Sequence, residues 1–193
     1  EFLLSEIKNN RGWWANKWGL QLGAKYVDAF GLSNLDLQLE HNRVRPFTYS
    51  HRDSVANYTH YNQSLAHPLG ANFSEWIAIA RYQPAPKWMI TGKLIAYTQG
   101  RDSSDRSFGS NIFYPNVAPF RQADFGYEIG SGWKTSVFIG SFLVSYEWKE
   151  NLFFELSALV RKHETKTAPI VSGNTSVISL GLRWNMHRRE FDF

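Results

Sequence analysis

Apolar and polar residues alternate with a period of two through the last third of the chain, as in strands with one greasy and one wet face. Phe142, Val144, Tyr146 and Trp148 share one parity. Ser141, Ser145, Glu147 and Lys149 share the other, with Leu143 the exception. After a polar turn at Glu150 and Asn151 the pattern restarts. Leu152, Phe154, Leu156, Ala158 and Val160 stand against Glu155, Ser157 and Arg161, with Phe153 and Leu159 as impurities. A third run sets Ile178, Leu180, Leu182, Trp184 and Met186 against Ser179, Gly181, Arg183, Asn185 and His187. Upstream, Leu20, Leu22, Ala24 and Tyr26 oppose Gln21, Gly23 and Lys25, while Leu35, Leu37 and Leu39 oppose Asp36, Gln38 and Glu40. Residues 73–82 and 88–97 are β-rich but alternate imperfectly, and residues 2–8 suit a short strand. The pattern predicts about eight strands. Each apolar face is about nine residues long, the length a tilted strand needs to cross a bilayer. Trp148 and Trp184 stand near strand ends, where an aromatic girdle would place them.

The connections carry a second pattern. Working back from the C-terminus they are residues 164–174 (long, polar), 149–151 (tight), 99–132 (very long, rich in Gly, Ser and Arg), 83–87 (short), 49–72 (long), 30–34 (short) and 9–17 (medium). Outer-membrane barrels have short periplasmic turns and long extracellular loops. A periplasmic C-terminus puts every long connection outside and every short one inside. The expected fold is therefore all-β: an antiparallel transmembrane β-barrel, one domain over residues 1–193, in a bacterial outer membrane. No helical amphipathic segment, low-complexity linker or fixed-period repeat competes with it.

Composition sharpens this picture by exclusion. Mean hydropathy is −0.39, and no apolar run approaches the roughly 20 residues of a spanning helix. A helical membrane protein is excluded, while a barrel, whose strands average hydrophilic, is not. Cys is absent, which rules out disulfides and thiolate metal sites. The formal charge of +4 is weak evidence for an acidic partner, and the basic residues are scattered, so nucleic acid is not expected. Neither a Gly-x-Ser-x-Gly elbow nor a phosphate-cradling loop before a helix occurs. The aspartates 102 and 105 lie in a Ser-rich run. The expectation is a protein without cofactor that is not an enzyme. Glu1 follows no initiator Met or signal pattern, which suggests a processed chain or part of a longer one.

Residues 35–51 read LDLQLEHNRVRPFTYSH and residues 58–73 read YTHYNQSLAHPLGANF. Both blocks resemble Bacteroidetes-type outer-membrane proteins of the Wzi-like capsule-assembly group, including relatives associated with gliding motility. The likeness corresponds to the C-terminal part of that family's larger barrel. It implies a role in attaching or organising surface polysaccharide, with outer-membrane lipid and other outer-membrane proteins as further partners. A structural subunit of a gliding or secretion complex, or a pore, are the alternatives. The terminal Phe193 resembles the assembly signal of such barrels. Phe191 and Phe193 nevertheless have the opposite parity to Trp184 and Met186, which calls for a bulge or a tail.

Arginine beside aromatic residues suits an acidic sugar polymer, because guanidinium pairs bidentately with carboxylate and aromatic faces stack on sugar rings. Arg43, Arg45 and Arg52 lie at or in the loop 49–72. Arg101, Arg106 and Arg121 lie in 99–132, among Tyr97, Phe108, Phe113, Tyr114 and Phe120. The candidate ligand residues are Arg45, Arg52, Arg101, Arg106, Arg121 and Tyr114. Against each stands self-packing of a long loop, the commoner arrangement for any single residue. His51, His60 and His67 near Asp53 could suggest a metal site, but their spacing matches no motif and a packed loop is the better reading. Lys25, Asp36, Glu40, Lys93, Glu147, Glu155 and Arg183 are expected to face a filled interior as salt-bridge ladders, in preference to lining a channel.

Overall fold

The computed structural model describes residues 12–185 apart from 104–105 and 168–169. Its strands are β1 Gly19–Tyr26, β2 Leu35–Val44, β3 Thr59–His60, β4 Gln63–Ser64, β5 Phe73–Tyr82, β6 Trp88–Arg101, β7 Trp133–Lys149, β8 Leu152–Thr165 and β9 Val171–Trp184. Seven of them form one antiparallel sheet in the order β1-β2-β5-β6-β7-β8-β9, and β3 with β4 forms a separate ribbon. No α-helix occurs among the described residues; two single 3-10 turns sit at Ala29–Gly31 and Ser54–Ala56.

Register sorts the side chains onto two faces. Tyr26, Leu37, Ala80, Gly92, Phe142, Ala158 and Ile178 lie in one row across the sheet. This outer face, as we call it, is apolar through its middle and exposed: Leu94 is 50%, Leu182 63% and Leu180 84% accessible. At the short-turn end it carries Trp88 against Tyr146 and Trp148 against Phe154, with ring centroids 4.7 and 5.8 Å apart. Toward the other end it becomes polar, through Arg43, Ser74, Thr98, Ser136, Lys162 and Asn174.

The opposite, inner face holds all seven charged residues expected to line an interior. Lys25 meets Asp36 at 2.8 Å, and Arg183 meets Glu155 at 2.7 Å. Between them runs an aliphatic row, Ile77 opposite Ile95 opposite Ile139. These isoleucines explain the imperfect alternation of β5 and β6: that face is mixed rather than wholly polar.

Several expectations need correction. The all-β antiparallel sheet is as expected, while no closed barrel is detected among the described residues, where β1 and β9 do not pair with each other. The connection read as residues 164–174 shrinks to 166–170, because β8 and β9 extend into it. The very long loop begins at residue 102, the first long one spans 45–72, and the turn read as 30–34 spans 27–34. The expected strand at 2–8, part of the connection 9–17 and the tail from Met186 to Phe193 lie outside the described residues. The alternation of short and long connections between the two ends survives in the sheet order, apart from the five-residue link 166–170.

Candidate functional site

Residues 45–72 and 102–132 leave the sheet at the same end and fold over its inner face. Val44 and Phe73, at the strand ends, pack with Ala71 and Ile112 of the loops, and Tyr49 and Leu69 flank them. Phe47, 1% exposed, sits edge-on to Tyr127 at 4.9 Å and to Trp14 at 6.4 Å. Its amide donates to the Gly109 carbonyl at 3.0 Å. A Cβ on Gly109 would lie 2.4 Å from that amide nitrogen, and its φ of +74° already favours glycine. The β3–β4 ribbon turns through Tyr61 and Asn62, both with positive φ, as a tight hairpin requires.

Polar side chains lock this cap. Asn72 is fully buried, and its Nδ2, with two hydrogens to share, lies 2.7, 3.1 and 2.9 Å from the carbonyl oxygens of Gly100, Phe108 and Ser131. Its Oδ1 accepts from the Gly130 amide at 2.8 Å. Asp102 accepts from the amides of Phe108 and Asn111 at 2.5 and 3.0 Å, so this carboxylate organises the loop. Glu75, buried on β5, accepts from Asn42 at 3.0 Å and lies 3.0 Å from His67 Nε2. Lys17 donates to the Ser50 carbonyl at 2.6 Å, and burial lowers its pKa.

The six candidate ligand residues have different fates. Arg45 is buried and gives its donors to the carbonyls of Asn16, Trp13 and Tyr127, a tie between three segments of the cap. Desolvation lowers its pKa. Arg106 lies over the rings of Phe108 and Tyr127. Arg121 bonds to the Asn116 and Ala123 carbonyls and to Asp124, above the Trp14 ring. Tyr114 stacks on Phe120 at 4.9 Å and remains 41% exposed. Arg52 is exposed on its loop. Arg101 lines a cavity. Of the histidines, His60 packs against Tyr61 while His67 turns to Glu75, and no cluster able to hold a metal occurs among the described residues.

That cavity, about 480 Å³, lies between the inner face and the cap. Its floor is Tyr97, Gln99 and Arg101 of β6, Thr135 and Val137 of β7, and Arg161 and His163 of β8; Leu69, Asn111, Ile112 and Phe113 contribute to its walls. None of its lining residues is acidic. Gln99 ties floor to cap through the Leu69 carbonyl at 2.6 Å. Arg161 and His163 were not singled out by sequence reasoning as ligand residues; their shared parity with Glu155 on an unbroken β8 is the signal that places them here. Comparison with protein-family models, with curated proteins and with solved structures finds no match to this chain.

Proposed function

We propose that this sheet is wall of a transmembrane β-barrel in a bacterial outer membrane, and that its looped end binds and organises surface polysaccharide without catalysing a reaction. One observation carries the membrane part: an apolar outer face, exposed through its middle, edged with aromatic rings at one end and with polar side chains at the other. Exposed apolar patches beyond a few hundred Å² are exceptional on soluble monomers. From Trp88 to Ala96 the band is about 27 Å long along β6, at roughly 3.3 Å per residue. The inner face, with its ion pairs, suits a lumen. The long loops then face outside and the short turns the periplasm.

The likeness of residues 35–51 and 58–73 to the capsule-assembly group supports the ligand class. So does the cavity under the cap, which combines cations, amides and an aromatic ring. The margins of β1 and β9, unpaired among the described residues, favour a second reading, a structural subunit that pairs with other outer-membrane strands.

Reconstitution tests the first reading. In vesicles, lipids brominated along their chains should quench the fluorescence of Trp88, Trp148 and Trp184, and binding of acidic glycan should be retained in detergent. A chain that stays folded and monodisperse in plain buffer would sink the membrane assignment. Co-purification with other barrel subunits and no glycan affinity would favour the second reading.

A further inference from the structure

Two cations in the cavity under the cap lack partners. Among the described residues neither the Arg101 nor the Arg161 side chain makes a hydrogen bond or ion pair, although those of Lys25, Arg121 and Arg183 do. The nearby acids are committed: Glu75 to Asn42 and His67, and Asp102 to loop amides. Both side chains are exposed, and no acidic residue lines the cavity, so their guanidinium donors are open to an incoming anion. The two are also far apart along the strands. Arg101 pairs with Trp133 of β7, and Arg161 with Ile139 of the same strand. Between those two β7 positions the backbone rises roughly 20 Å, at about 3.3 Å per residue. Tyr97 and His163 lie between, on the same floor.

We infer that this cavity is a subsite for a carboxylated polysaccharide, in which Arg101 and Arg161 pair with acid groups on different sugar units of one chain. This rests on the polysaccharide reading above and narrows it to an acidic polymer. The planar fork of guanidinium matches carboxylate in a way that ammonium does not. A single sugar acid engages one arginine at a time. An oligomer engages both, and its second contact is intramolecular, so affinity rises with length. Ring Tyr97 offers an apolar face for a sugar between the two charges.

The test uses the whole protein in detergent, with isothermal titration calorimetry. The probes are galacturonate, its oligomers, and the same oligomers with every carboxyl methyl-esterified. The acidic oligomers should bind at least about tenfold more tightly than the monomer or the esters. Arg101→Gln and Arg161→Gln should each weaken oligomer binding by about tenfold or more, the loss expected for a charged hydrogen bond. Arg81→Gln, on the same face outside the cavity, should bind as the parent does. Esters that bind as tightly as acids would overturn the inference while leaving polysaccharide binding intact, and they test it with no mutation. Acid binding that survives both arginine variants in folded protein would overturn it equally. Absence of binding to every glycan probed would bring down the polysaccharide reading itself.

Discussion

At the short-turn end, Glu150 and Asn151 alone join β7 to β8, and Trp148 and Phe154 beside them face outward. At the other end, residues 45–72 and 102–132 build a packed cap, with Phe47, Asn72 and Tyr127 almost inaccessible. The first region is a regular ladder that leaves its greasy surface to the surroundings. The second supplies its own interior. In one molecule, therefore, the strands leave apolar side chains exposed at mid-height and bury others under the loops above.

Ways to separate the two regions follow from this contrast. Phe47→Ala should cost the cap about 3–5 kcal/mol, the usual range for emptying a fully buried phenylalanine. Protease should then cut within 102–132 while β6 and β7 keep their amide protection; simultaneous loss of both would mean that cap and ladder are one cooperative unit. Leu94→Arg, on the exposed outer face, should destabilise the protein in phospholipid vesicles by about 2–4 kcal/mol by urea titration. Thr91→Arg, one face over, should cost much less, and equal costs would erase the distinction between the faces.

Asn72→Ala should release the loop carbonyls it gathers, at about 1–3 kcal/mol for buried groups left unpaired. Faster hydrogen exchange at Gly130, whose amide it accepts, is the readout. Lys25→Met removes an ion pair whose lysine is half exposed, and less than about 1 kcal/mol should be lost. The smallest effect concerns Tyr49, whose pKa is raised, first by burial and then by Tyr58. Its folded value exceeds its unfolded one, so its contribution is intact at neutral pH and fades as alkali passes the ordinary tyrosine range, about pH 10. Proteolysis of the cap should rise there in the parent and less in Tyr49→Phe.

Much of the sheet was legible because mid-height strands obey one rule, apolar out and polar in. The bounds Phe73–Tyr82 follow from the sequence even though Ile77 and Ile79 break the alternation. The rule fails above the band, where polarity inverts. There Val44, Phe73 and Val137 turn inward to meet the cap, while Arg43, Ser74 and Ser136 turn outward. Residues 171–174, Val-Ser-Gly-Asn, are mostly small and polar on both parities, which is why they read as loop. The cavity was harder to foresee for the same reason. Its floor uses the stretch of β8 next to the supposed loop, and which arginines remain unpaired depends on contacts between segments distant in sequence. Arg45 and Arg121 looked as available as Arg101 until their partners, carbonyls of remote backbone, came into view.

The margins of the sheet carry a consequence for biogenesis. Among the described residues β1 and β9 each pair on one side only, and under the membrane proposal hydrocarbon could not solvate the amide hydrogens and carbonyls of the other side, at several kcal/mol for every group left bare. On that proposal, a half-zipped ribbon could not be released sideways into lipid with those edges bare. Entry into a bilayer and sealing of a seam would therefore, under the same proposal, be a single coupled event, guided by a template that offers hydrogen-bonding edges until the last strand docks.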